Sequence, residues 1–228
     1  EKAQLKVQRL IKKAIHEHKQ EVTFTPMFPF AEGPREYQKI AFENWKQNKQ
    51  VGLFAMATGT GKTITSLNCL LEVYKKTGYY KAIILVPTIT LVNQWENECK
   101  RFRFNNIIKV YSKRPKWKSD IESLHLQERI YGGEDKVSYV VIATYASFAK
   151  DGAFDLLNLL SSRAMLIADE AHNMGSGGIR KKLPMISSNE LEAKRLPPCN
   201  PVQEHSPIAY RRRILLCPSR STTIPPHR

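Results

Sequence analysis

The stretch A-M-A-T-G-T-G-K-T at residues 55–63 decides the fold of this chain. A short apolar run, V-G-L-F at residues 51–54, precedes it, and apolar residues recur at helical spacing after Thr63. A buried strand, a glycine-rich turn and a helix beginning with Lys-Thr form the layout of a phosphate-binding loop. Backbone N–H groups and the positive end of the helix then face one spot, where a phosphate can bind.

Two side chains of this stretch have distinct expected roles. Lys62 adds a full charge for the β- and γ-phosphates, and Thr63 offers a hydroxyl to Mg²⁺. The general pattern G-x-x-x-x-G-K-[ST] requires glycine at the position that Met56 occupies here. Because Gly-Lys-Thr in a turn is also an ordinary helix start, the stretch alone leaves both interpretations open.

The composition is that of a soluble globular protein with a strong basic excess. The 228 residues carry a net charge of +15, which suggests a polyanionic partner such as nucleic acid. Residues 179–228 hold ten Lys/Arg against three Glu, a net of +7, so the other 178 residues carry only +8. Many soluble proteins are this basic without binding nucleic acid, and charge alone does not identify the partner.

The four cysteines form no C-x-x-C pair, so neither a zinc site nor a redox motif is indicated. We expect Cys69 and Cys99, which lie in predicted helices, to be buried free thiols. Apolar runs are far too short to span a membrane, and no signal peptide is visible. The expected location is therefore a reducing cytoplasm, with no membrane partner.

Apolar segments at residues 80–86, 107–111, 139–143 and 164–168 alternate with helical patterns. This alternation predicts an α/β fold, with a mainly parallel sheet covered by helices on both faces. Ligands then bind at the carboxyl ends of the strands.

The last of these strands leads directly into D-E-A-H at residues 169–172. Asp169 can place a carboxylate beside the Mg²⁺ held by Thr63, and Glu170 is suited to orient or deprotonate the attacking water. The alternative is an acidic loop that merely caps a strand. The separation 169 − 62 = 107 residues leaves room for three βα units of roughly 30 residues each, which favours the catalytic interpretation.

Together these motifs resemble the first motor domain of superfamily 2 helicases and translocases, especially the DEAH-bearing branch that includes restriction-enzyme motor subunits. The resemblance covers about residues 34–176, and it implies a RecA-like P-loop NTPase fold. The phosphate loop of this branch often reads A-T-G-T-G-K-T, as at residues 57–63, so the early glycine is not required there.

The resemblance also implies the binding sites. P-R-E-Y-Q at residues 34–38 is similar to an upstream element whose glutamine reads adenine, so Gln38, with Arg35 near it, would select ATP. His172 would couple hydrolysis to domain movement. The implied ATP-binding and catalytic set is Arg35, Gln38, Thr58, Gly59, Thr60, Gly61, Lys62, Thr63, Asp169, Glu170 and His172, with Mg²⁺ at Thr63 and Asp169.

Two further motifs resemble those that contact the nucleic-acid backbone, V-P-T at residues 86–88 and A-T-Y-A-S at residues 143–147. The implied contacts are Pro87, Thr88, Gln94, Thr144 and Tyr145, and the branch favours DNA over RNA. Taken without the resemblance, Thr88 merely caps a helix, and Thr144 and Tyr145 merely end a strand.

We predict four regions: an amphipathic helix at 1–21, a linker at 22–33, a RecA-like domain at 34–182 and an irregular basic tail at 183–228. The family expects a further strand ending in Ser/Thr-Ala-Thr and a second RecA-like domain with an arginine finger, and the sequence shows neither pattern. Three alternatives stay open for the tail: a basic arm on nucleic acid, a disordered segment, or the product of a reading-frame slip near residues 187–195.

The predicted function is the first half of an ATP-dependent nucleic-acid helicase or translocase, with feeble hydrolysis by this chain alone. One alternative is a nucleotide-gated nucleic-acid-binding fragment without useful hydrolysis, and another is an inert product whose tail prevents folding. Small-molecule kinases and GTPases are disfavoured, because the D-E-A-H box and the two backbone motifs have no role in them.

Overall fold

The computed structural model describes residues 25–57, 59–130, 137–160, 164–171 and 213–218. They form a six-stranded sheet in which every pairing is parallel, with helices on both faces, as the sequence predicted. The elements are α1 (Glu36–Gln47), β1 (Val51–Met56), α2 (Lys62–Thr77), β2 (Lys81–Val86), α3 (Ile89–Arg101), β3 (Ile107–Val110), α4 (Trp117–Ile130), β4 (Tyr139–Thr144), α5 (Tyr145–Phe148), α6 (Asp151–Asn158), β5 (Met165–Ala168) and β6 (Arg213–Pro218).

The strand order across the sheet is β1-β6-β5-β2-β4-β3. Since all strands run the same way, their carboxyl ends lie along one edge of the sheet, which we call the carboxyl edge. Ala57 and residues 59–61 follow β1 at this edge, and Asp169 follows β5 there. A single strand, β6, separates the two, so the phosphate loop and the acidic motif are brought to neighbouring positions.

The sheet buries side chains on both faces, which explains its near-continuous apolar strands. In β2, Ile83 and Leu85 belong to a core that includes residues of α4, α5 and α6. Ala82, Ile84 and Val86 belong to the opposite core, with residues of α1, α2 and α3. The two-residue period of a strand thus serves two cores at once.

The strand β6 corrects the prediction that residues 183–228 form an irregular tail. The run I-L-L-C at residues 214–217 is short, yet Ile214 and Leu216 are fully buried in the core beside α2. Pairing on both sides, with β1 and β5, satisfies the backbone groups of this strand. The rest of the predicted tail lies outside the described residues, as do the predicted helix at 1–21 and the first residues of the linker.

The helix α1 buries one polar and one aromatic side chain and exposes two other large ones. Gln38 and Trp45 are buried, whereas the side chains of Tyr37 and Ile40 are exposed. The buried Gln38 faces α2, with its Nε2 3.5 Å from the hydroxyl oxygen of Thr65.

Cys69 and Cys99 are buried free thiols, as predicted. Burial raises the pKa of both, so they remain protonated and unreactive at ordinary pH. Each helix in the described part of the chain is too short or too polar to cross a membrane.

Candidate nucleotide and nucleic-acid site

The phosphate loop turns sharply through two glycines in the left-handed region. Gly59 has φ 82° and Gly61 has φ 83°, which glycine adopts without steric cost. Between them, the Thr60 hydroxyl donates to the carbonyl oxygen of Ala57 at 2.7 Å. Lys62 Nζ lies 3.1 Å from the carbonyl oxygen of Met56, so its ammonium group lies against the backbone of the loop.

The first turn of α2 fits an anionic group. Its N-cap is Gly61, and no side chain caps the helix, so the first N–H groups have no partner within the helix. Thr63 lies half-buried in this turn. Free N–H groups, the positive end of a long helix and the Lys62 ammonium are the features that bind phosphate.

The start of α1 is docked on this loop by two side chains. Tyr37 donates its hydroxyl hydrogen to the carbonyl oxygen of Thr60 at 2.7 Å. Gln38, which is 4% exposed, places Nε2 3.5 Å from the hydroxyl oxygen of Thr65 and accepts from the Arg35 backbone N–H at 2.9 Å. The structure therefore brings Gln38 to the phosphate loop and leaves Arg35 exposed at the start of the helix.

Hydrogen bonds hold both carboxylate oxygens of Asp169. Oδ2 accepts from Trp95 Nε1 at 2.9 Å, and Oδ1 accepts from the backbone N–H of Glu170 at 3.0 Å. Asp169 is 8% exposed and Trp95 is 1% exposed, so this indole–carboxylate bond is screened from water. Glu170 follows with φ 50°, a strained backbone for a non-glycine residue of the kind found at functional sites.

The Tyr145 hydroxyl holds the backbone of the same residue, donating to the carbonyl oxygen of Asp169 at 2.8 Å. Burial, with smaller contributions from the charges of Asp169 and Glu170, raises the pKa of Tyr145, so the hydroxyl keeps its proton. Trp95 belongs to the core beside α2 and Tyr145 to the opposite core. Asp169 is therefore held from both faces of the sheet.

From the sequence, Trp95 is expected to face inward on α3 and to belong to the backbone-contacting motif that begins at V-P-T, but its bond to Asp169 is not predicted. The available signal was chemical, because a buried indole N–H requires an acceptor. The identity of that acceptor depends on which strands are neighbours, and β5 lies beside β2, the strand that precedes α3.

The residues predicted to contact nucleic acid divide into exposed and buried ones. Thr88 and Gln94 are exposed and Pro87 is half-buried, and Thr88 also caps α3 by accepting from the Leu91 N–H at 3.3 Å. Thr144 and Tyr145 are 6% and 5% exposed. Because Thr144 caps α5 and the Tyr145 hydroxyl binds Asp169, their side chains are directed inwards.

Two predicted site residues, Thr58 and His172, lie outside the described residues. Within the described ranges, no three His, Cys, Asp or Glu side chains are grouped as an all-protein metal site would require. A Mg²⁺ held by Thr63, Asp169 and nucleotide phosphates is compatible with this, because Mg²⁺ commonly uses one or two protein ligands beside phosphate oxygens.

A family model described as "Type III restriction enzyme, res subunit" matches residues 32–195, well over half of the chain. The chain belongs to this family. The match confirms the resemblance to the first motor domain of superfamily 2 helicases and translocases.

One relative of this chain is the DNA 3'-5' translocase XPB2 of Sulfurisphaera tokodaii, which is 28% identical over 146 residues. The match covers 63% of this chain and 26% of the relative, so the chain spans about a quarter of the relative's length.

Two solved structures share the fold. The Hef helicase domain of Pyrococcus furiosus matches with a TM-score of 0.52 at 20% identity, over 84% of this chain and 34% of that one. The Type ISP restriction-modification enzyme LlaGI, solved with a DNA substrate mimic, matches with a TM-score of 0.52 at 22% identity. This match covers 82% of this chain and 17% of LlaGI. These likenesses establish the RecA-like architecture.

Proposed function

We propose that this chain is the ATP-binding first motor domain of a DNA translocase or helicase. The observation that carries the proposal is the convergence of the phosphate loop and Asp169–Glu170 at one edge of a parallel sheet, one strand apart. Family membership supports it, and so does the printed activity of the XPB2 relative. We place β6 in this domain, beyond the predicted limit at residue 182.

The proposed division of roles follows the geometry. Lys62 and the free N–H groups of α2 would hold the β- and γ-phosphates, and Thr63 and Asp169 would hold Mg²⁺. Bound Mg²⁺ would neutralise charge that develops on the transferred phosphoryl group. Trp95 keeps the carboxylate of Asp169 in one orientation, and Glu170 orients the attacking water.

Recognition of the two ligands uses different parts of the carboxyl edge. Gln38, with Arg35, selects adenine from its place beside the phosphate loop. Pro87, Thr88 and Gln94, together with the backbone of residues 144–145, contact the sugar-phosphate backbone, with DNA favoured over RNA. The strand order supports this division, because β1 and β5 form the nucleotide side, and β2 and β4 the nucleic-acid side.

We further propose that these 228 residues alone hydrolyse ATP slowly. The arginine finger of this family is expected on a second RecA-like domain, and such a residue is worth about 10³–10⁵ in rate in related phosphoryl-transfer enzymes. The second candidate function, a nucleotide-gated nucleic-acid binder without useful hydrolysis, is favoured by the same consideration.

Phosphate release with and without DNA separates the two candidates. We expect a slow release that falls in Glu170→Gln but not in Glu122→Gln, a matched change of an exposed glutamate on α4. Equal release from the parent chain and Glu170→Gln would leave binding as the only activity. A fast, strongly DNA-stimulated release by the 228 residues would contradict the proposed need for a second domain.

A further inference from the structure

The segment between β3 and the first turn of α4 carries a dense positive charge that no predicted role includes. It reads S-K-R-P-K-W-K at residues 112–118, with four cations and no acidic residue, and we call it the lysine segment. We propose that the lysine segment is a third contact for nucleic acid, binding the sugar-phosphate backbone. This inference rests on the proposed function of the chain.

The register of the sheet places the lysine segment beside the two predicted contacts. In β3 and β4, Val110 pairs with Ala143, so the chain leaves β3 level with Thr144. In β2 and β4, Val86 pairs with Thr144, so Pro87 emerges at the same level. Three segments therefore leave neighbouring strands β2, β4 and β3 side by side at the carboxyl edge.

Distance separates the lysine segment from the nucleotide. The strands β1 and β3 lie at opposite edges of the sheet, five spacings apart, or about 24 Å at the usual 4.7–4.9 Å per strand. The strand β4 is one spacing away, about 5 Å. The anion that suits these cations is consequently a polymer lying over β2 and β4 rather than the phosphates of ATP.

The segment is folded, and its lysines are displayed on the surface. Arg114 is held by Asp120 at 3.3 Å and by the carbonyl oxygen of Lys109 at 3.4 Å, and Trp117 is 7% exposed and belongs to the core. These contacts anchor the segment at Arg114 and at Trp117. The side chains of the remaining cations, Lys113, Lys116 and Lys118, are exposed.

These three lysines also differ from many other surface cations in having no carboxylate partner among the described residues. Elsewhere, Lys46, Lys75 and Lys100 each lie within 3.3 Å of a glutamate three or four residues away on the same helix. Like charges left uncompensated in one segment attract a polyanion. Lysine ammonium groups on flexible stems suit phosphate contacts that do not depend on base sequence.

The test is the salt dependence of binding to a short fluorescent DNA duplex of arbitrary sequence. The test variant is Lys113→Ala/Lys116→Ala/Lys118→Ala in the 228-residue chain, with its fold checked by thermal melting. The matched control removes three exposed lysines at the ends of α1 and α2, which precede the amino ends of β1 and β2: Lys46→Ala/Lys75→Ala/Lys76→Ala.

Each lost phosphate contact makes the slope of log K against log salt shallower by about 0.9 for duplex DNA. We expect the slope to be shallower by about 2 to 3 in the test variant and to equal that of the parent in the control. If the triple variant does not fold, Lys116→Gln alone is expected to lose about 0.9.

Four results would overturn the inference. If the parent binds DNA and the test variant keeps its slope, or if test and control variants weaken equally, the lysine segment has no specific role. Displacement of DNA by polyglutamate of equal charge at equal concentration would assign the segment to acidic proteins instead. Failure of the parent chain to bind either duplex or single-stranded DNA would overturn both this inference and the proposed function.

Discussion

Replacing Trp95 with phenylalanine removes one hydrogen bond to Asp169 while keeping most of the aromatic packing. The lost bond joins Trp95 Nε1 and Asp169 Oδ2 at 2.9 Å, with the donor 1% and the acceptor 8% exposed. Hydrogen bonds to charged groups contribute about 1.5–3 kcal/mol, and burial denies the carboxylate a replacement water. We expect the free energy of unfolding to fall by about that amount, measured by chemical denaturation.

The same variant tests the proposed link to magnesium. Loss of a group that orients a metal ligand typically reduces metal affinity by about 10- to 100-fold. We therefore expect Trp95→Phe to weaken ATP binding by about 10-fold in the presence of Mg²⁺ and to leave it unchanged in excess EDTA. Titration calorimetry under the two conditions measures both affinities.

Two controls separate the bond from general damage. Trp45→Phe changes a tryptophan of equal burial that packs beside Gly52, near the amino end of β1, and should leave the magnesium dependence intact. A double-mutant cycle with Asp169→Ala should give a coupling energy near the value of the bond. The reasoning is refuted if the coupling is zero, or if Trp95→Phe weakens ATP binding equally with and without Mg²⁺.

Three further predictions follow from other parts of the structure. Gln38→Ala should reduce the preference for ATP over GTP by about fivefold, since one amide hydrogen bond contributes about 1 kcal/mol; an unchanged ratio in competition binding would exclude Gln38 as the adenine reader. Glu128→Gln leaves Lys81 buried without the carboxylate that lies 2.7 Å away, so the free energy of unfolding should fall by about 3–5 kcal/mol. The double variant Lys81→Met/Glu128→Leu should recover most of this loss, and the absence of recovery would contradict the prediction. For Glu96, burial raises the pKa, but hydrogen bonds and charges from two lysines outweigh it and hold the pKa below 4.5. Ionised Glu96 contributes about 0.5–1 kcal/mol to the free energy of unfolding above pH 4.5, and this contribution is lost as the pH falls through the lowered pKa. The unfolding free energies of Glu96→Gln and the parent should therefore differ at neutral pH and converge in acid. A difference that stays constant with pH would contradict this.

Five of the six strands could be predicted because each is a near-continuous apolar run bounded by polar residues. Parallel sheets with two covered faces require such runs, and the sequence displays them without ambiguity. The convergence of the phosphate loop and Asp169 followed from the same reasoning, since the carboxyl ends of parallel strands share one edge. Local chemistry therefore sufficed for the architecture and for the central pair of motifs.

Features that depend on long-range neighbours could not be predicted. The strand β6 comes from a proline-rich region, and its place between β1 and β5 is a distant pairing that no local period encodes. The bond from Trp95 to Asp169 likewise depends on the order of strands. The inward direction of Thr144 and Tyr145 is set by a cap and by a contact with β5, neither of which a strand-ending motif reveals.

Equilibrium binding of Mg-ATP to the Lys62→Ala variant tests whether this chain binds the nucleotide through the loop at residues 55–63. Lys76→Ala, at the other end of the same helix, is the matched control. We predict that the parent and Lys76→Ala bind Mg-ATP equally, while Lys62→Ala binds about 10- to 100-fold more weakly, the equivalent of one charge-assisted hydrogen bond. Equal binding by Lys62→Ala and Lys76→Ala, or no binding by the parent chain, would contradict the claim.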